Sequence, residues 1–150
     1  MNSKREIQEF LGHKKLAFAG LSRDPKSFSV SAFKELKGKG YRLFPMNPNA
    51  ATIGGETCYP AVSALPEKVE GIILFTPPSE TEKVVREAAR AGIRQVWIQR
   101  GAESEPAVRF CRDNGLNAIS GECIFLHAEP VASFHAVHRW FKGIFGGLPR

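Results

Sequence analysis

Five short apolar runs, rich in branched and aromatic residues, recur along the chain with segments of helical period between them. They read KLAFAG (15–20), YRLFPM (41–46), EGIILFT (70–76), RQVWIQ (94–99) and LNAIS (116–120). Each has the length of a strand and not of a helix. Between them, Phe28, Ala32, Phe33 and Leu36 share one face of a helix over 28–38. Val84, Val85, Ala88 and Ala89 do the same over 79–91, and Ala107, Val108 and Cys111 over 104–114. Strands that alternate with helices of this length pack as right-handed crossover units around a parallel sheet, because helices cover both of its faces. Gly40, Gly92 and Gly115 each stand between a helical segment and the next strand, where a residue of positive φ ends a helix. Ser79 with Glu82 three residues on predicts a capping box, and Ser104 ahead of Glu105 and Pro106 predicts a second helix start.

With 150 residues, 43% of them hydrophobic and 24% charged, the chain reads as one domain over 1–150, with a core over 14–127. No apolar run approaches the ~20 residues of a membrane span, and the polar start MNSKREIQEFLGHKK lacks the apolar centre of a signal peptide. Cys58, Cys111 and Cys123 are odd in number and far apart, which argues against a disulfide framework or a structural zinc site and for a reducing cytoplasm. The net charge of +6 favours an anionic partner. Its basic residues are scattered and carry no nucleic-acid-binding motif, so a phosphorylated small molecule accounts for the charge as well as nucleic acid does.

In a parallel sheet of this kind, ligands sit beyond the carboxyl ends of the strands. The first exit, GLSRDPKSFS (20–29), offers a glycine for close approach, the hydroxyls of Ser22, Ser27 and Ser29, and the cations Arg23 and Lys26 at the start of a helix. The same residues would also make a solvated turn and a helix cap. A dinucleotide site calls for repeated glycines here and an acid at the end of the second strand; both are missing, and that strand ends instead in Asn47-Pro48-Asn49. The third exit, Thr76-Pro77-Pro78-Ser79, has fixed φ angles and can present a rigid apolar wall. The stretch between Met46 and Leu65 is long and suggests a short edge strand near Cys58 and Tyr59.

Together, AGLSRDPKSFS, GYRLFPMNPN, GETCYPAVSALPEKVEGIILFTPPSE, GIRQVWIQRGAES and ISGECIF resemble the CoA-binding, Rossmann-like domain of the succinyl-CoA synthetase α subunit and of small stand-alone bacterial proteins of the YccU-like type. The resemblance runs from about Lys14 to His127. It implies a three-layer α/β fold: a Rossmann-like parallel sheet of about five strands with helices on both faces. It also implies coenzyme A as the ligand, held by Gly20, Ser22, Arg23, Asp24, Pro25, Asn47, Pro48, Asn49, Thr76, Pro77 and Pro78, to which the loop's own chemistry adds Lys26 and Ser27. The synthetase's phosphorylated histidine lies in a further domain, so ligase chemistry does not carry over.

Beyond the resemblance, Phe134, Val137, His138, Phe141 and Phe145 predict an extra C-terminal helix over 129–145, packed on the sheet or against a second subunit. His127, His135 and His138 make a weak metal set, and no metal is expected. Cys123, after the fifth strand, is the one weak catalytic candidate, against the alternative of a buried inert thiol. Three functions follow: a small cytoplasmic module that holds CoA or acyl-CoA without catalysis, alone, as a homodimer or with a partner enzyme; an enzyme or subunit acting on CoA thioesters; and a sensor of NAD(P) or AMP.

Overall fold

The computed structural model describes residues 3–124. The helix expected over 129–145 and the three histidines of the tail lie outside them. Five strands, β1 (Lys15–Ala19), β2 (Arg42–Met46), β5 (Gly71–Leu74), β6 (Gln95–Gln99) and β7 (Asn117–Glu122), form one parallel sheet in the order β2-β1-β5-β6-β7. The chain therefore reverses direction across the sheet between β1 and β5, as in doubly wound folds. Helices α1 (Lys4–Leu11) and α2 (Phe28–Gly38) bury their apolar stripes on one face, and α3 (Pro78–Arg90) and α4 (Glu105–Asp113) on the other. Successive strand side chains divide between the two layers: Leu16, Phe18, Ile73, Trp97 and Ile119 point to the first, and Ala17, Ala19, Ile72, Val96 and Ile98 to the second. Both faces of the sheet are dry, which is why its strands read as continuous apolar runs.

The expected helix ends are present. Gly40, Gly92 and Gly115 all have positive φ, and Ser104 caps α4 by accepting from the Ala107 N–H. The capping box at Ser79 is not formed. Pro77 is the N-cap and Pro78 the first helical residue, so the ring-fixed φ of proline starts the helix and Ser79 falls inside the first turn. A box does form at α1, a helix that the apolar runs do not predict. The Ser3 hydroxyl accepts from Glu6 N–H, and the Glu6 carboxylate accepts from Ser3 N–H at 2.8 Å. That backbone bond holds the Glu6 carboxyl below its ordinary range. Ile7, Phe10 and Leu11 of α1 are buried. The edge strand expected near Cys58 and Tyr59 is a hairpin a few residues earlier, β3 (Thr52–Ile53) with β4 (Glu56–Thr57), turning through Gly54 and Gly55 at φ 55 and 84°. Tyr59 itself makes one parallel bridge to Met46, and a short 3-10 turn follows at Val62–Ala64.

Candidate functional site

The exits of β1, β2 and β5 meet at Gly20. Its φ is +95°, and a Cβ there would lie 2.6 Å from the Phe75 carbonyl carbon and 2.8 Å from the Thr76 nitrogen. The Gly20 N–H donates to Met46 O at 3.2 Å, tying the same point to β2. Only a residue without a side chain allows three strand ends to approach so closely. Asn47 completes the junction. Its Nδ2 donates to Leu21 O at 2.9 Å, its Oδ1 accepts from Asn49 N–H at 2.7 Å, and its backbone N–H donates to Tyr59 O. Asn47 is thus a strut between two loops more than a spare donor for an anion. Asn47→Ala removes both side-chain bonds; it is expected to cost about 1–2 kcal/mol in urea unfolding and to free the loop from Leu21 onward.

Around this junction opens a cleft of about 670 Å³, within the range of small-molecule sites. Of the residues anticipated from sequence, Gly20, Ser22, Arg23, Asn47, Pro48, Asn49, Thr76 and Pro77 line it. Asp24, Pro25, Lys26, Ser27 and Pro78 do not. Asp24 to Ser27 form an exposed turn closed by Ser27 N–H to Asp24 O, with the Asp24 carboxylate accepting from Lys26 N–H. Ser27 is the N-cap of α2, bonded to Val30 N–H and to the Ser29 hydroxyl, and Ser29 in turn accepts from Ser22 N–H. The loop serines therefore hold the loop in shape first. Ser22 accepts from Asp24 N–H and keeps its own O–H for other partners. Thr76 is likewise committed, bonded at 2.7 Å to Thr81, whose hydroxyl reaches Ala102 O.

The cleft also carries residues outside the anticipated set. Pro60 and Ala61 enter from the segment after the hairpin, and Glu80, Lys83, Val84 and Glu87 from one face of α3. Their spacing of three or four residues is a helical stripe, which a polar periodicity could have revealed. Arg23 and Lys83 are balanced by Glu80 and Glu87, so the chain's positive charge is not concentrated here. What favours an anion is backbone: among the described residues, the N–H groups of Leu21, Arg23 and Thr76, all lining the cleft, make no hydrogen bond.

Cys123 stands elsewhere. It is 3% exposed, in the apolar layer under α1 and α2, whereas the cleft opens on the α3 side. Cys58 and Cys111 are also buried and unbonded to one another, and burial pushes the Cys111 thiol up to about 11. Among the described residues no group of three or more His, Cys, Asp or Glu could hold a metal ion, and no helix is long and apolar enough to cross a membrane.

Fold and cleft together define a doubly wound α/β domain with a ligand-sized opening at its topological switch point. The chain belongs to the CoA binding domain family, whose model matches residues 14–129. Similar proteins include the α subunit of acetate–CoA ligase (ADP-forming) II of Pyrococcus furiosus, 25% identical across 87% of this chain and 32% of its own length. Acetate–CoA ligase (ADP-forming) II of Archaeoglobus fulgidus is 28% identical across 67% of this chain and 15% of its own. The chain thus spans a third or less of these relatives. Among solved structures, a hypothetical protein of Pyrococcus horikoshii superposes with a TM-score of 0.77 at 31% identity, covering 82% of this chain and 87% of that one. A conserved hypothetical protein of Pyrococcus furiosus does so with 0.69 at 38%, covering 74% and 96%.

Proposed function

We propose that this chain holds coenzyme A, free or acylated, in the cleft at the β1, β2 and β5 exits, and that it acts as a cytoplasmic binding or regulatory module without catalysis of its own. The observation that carries the reading is the convergence at Gly20. Three strand ends bring unbonded amides, the Ser22 hydroxyl and Arg23 to one side of an opening walled elsewhere by Pro48, Pro60, Ala61 and Pro77. Amides and a guanidinium suit a diphosphate, and rigid apolar walls suit a base or a thin acyl-carrier arm. Cys123 is not among the lining residues, and the Thr76 and Thr81 hydroxyls are already bonded within the protein. Should the chain serve a thioester reaction, it would do so together with further domains or subunits, since it spans only 32% of the Pyrococcus furiosus α subunit.

Ligand binding to the folded state raises its stability by mass action. CoA at a hundred times its dissociation constant is expected to stabilise the protein by about 2.7 kcal/mol, read as a rise in melting temperature. AMP and NADP at equal concentration should give markedly less. Equal stabilisation by NADP or AMP would replace CoA with a general nucleotide reading, and no shift with CoA would end the proposal.

A further inference from the structure

Glu87 is half-buried, lines the cleft, and among the described residues has no hydrogen-bond or ion-pair partner for its carboxylate. Lys83, four residues earlier on α3, forms no salt bridge with it, although pairs at that spacing do form elsewhere on this helix, as Arg86 does with Glu82. Pro60, Ala61 and Val84, which share the lining with it, are apolar. A ligand that covers this carboxylate must supply a donor, because an acceptor shut off from water without one is costly.

The two walls of the cleft differ in charge. On α3, Glu80 and Glu87 bracket Lys83, giving that wall one net negative charge, which repels phosphate. The β1–α2 loop wall carries Arg23 and unbonded amides and contributes no lining carboxylate. A ligand with phosphates at one end therefore turns them to the loop and turns an uncharged, donor-bearing group to α3. Glu87 lies nine positions after Pro78, about 13 Å along the helix axis. The α3 side of the lining therefore runs from Pro77 at the β5 exit to Glu87, a length that admits one nucleoside.

Resting on the CoA reading, we infer that Glu87 reads the nucleobase, accepting a hydrogen bond from the 6-amino group of adenine while the ring lies against the apolar wall. A carboxylate accepts and cannot donate, so it selects an amine over a carbonyl at that position. A site built for one hydrogen-bonding pattern rejects the analogue that lacks it.

The test compares CoA with its 6-deaminated analogue, in which hypoxanthine replaces adenine, by calorimetric titration of the whole chain. The wild-type protein is expected to bind CoA at least about 10-fold more tightly than the analogue. In Glu87→Gln, whose amide both donates and accepts, that preference should collapse to near unity, with affinity for the analogue rising. Glu82→Gln, on α3 but outside the cleft lining, should leave the ratio as in the wild type. Equal affinity of the wild type for both ligands overturns the inference and leaves CoA binding standing, and that result needs no variant to fold. An unchanged ratio in Glu87→Gln, or a ratio lost in Glu82→Gln instead, also overturns it. A wild-type protein that binds neither ligand removes the CoA reading and the inference together.

Discussion

Gly20→Ala is expected to lower the unfolding free energy by about 3–5 kcal/mol and to leave the folded remainder unable to bind CoA. Two costs combine. A φ of +95° is strained for any L side chain, by roughly 1–3 kcal/mol. The added methyl also meets backbone at 2.6 to 2.8 Å, and backbone held in a sheet cannot swing aside as a side-chain tip can. Relief would require β1 and β5 to part at their carboxyl ends, which displaces Thr76 from the cleft. Gly40→Ala is the matched control. Its φ is +97°, but a Cβ there meets nothing within 4 Å, so only the conformational cost of roughly 1–3 kcal/mol remains. Urea unfolding of both variants measures the difference; equal losses would show that close approach at Gly20 is not what the glycine provides.

Trp97→Ala should be as damaging to stability and harmless to the cleft. Trp97 is fully buried in the centre of β6, with its ring 5.4 Å from that of Phe10 on α1 and its Nε1 donating to Gln99 Oε1. Removing so large a buried side chain costs about 3–5 kcal/mol, because the surrounding layer closes only in part. The void opens under α1, on the side of the sheet away from the cleft. The protein that remains folded is expected to keep its affinity for CoA within about 2-fold, since distant sites are nearly independent. Hydrogen exchange should show α1 losing protection first. A tenfold loss of affinity would mean that the two layers are coupled through the sheet.

The strands and three larger helices are legible in the sequence because each is defined by local periodicity and ends at a glycine or serine whose conformation is its own property. The first helix is harder to see although its signals are present. Ser3 with Glu6 is a capping box, and Ile7, Phe10 and Leu11 have helical spacing. Its charged residues outnumber these three, so the segment reads as a polar start until Trp97 and Ile119 provide a surface for it. At α3 the opposite holds, since Ser79 and Glu82 fit the pattern of a box while two prolines ahead of them fix where the helix begins. The cleft is legible in part. The meeting of the first three exits follows from the fold, but a sequence does not say whether a hydroxyl faces a ligand or its own loop. Ser27, Ser29 and Thr76 face inward. Nor does a core-facing stripe reveal which polar face of α3 borders an opening, which is why Glu80, Lys83 and Glu87 emerge only from the structure.

The strand order also governs when this protein can become competent. β1 is synthesised before the other strands of the sheet yet sits between β2 and β5, so its second neighbour arrives only with Gly71–Leu74, after β2 and the β3–β4 hairpin. Parallel pairing over such a separation closes slowly, because the entropy of a long loop is lost before the contacts form. A nascent chain emerging from the ribosome has the glycine turn and the asparagine strut before it has the Phe75–Thr76 segment that abuts them.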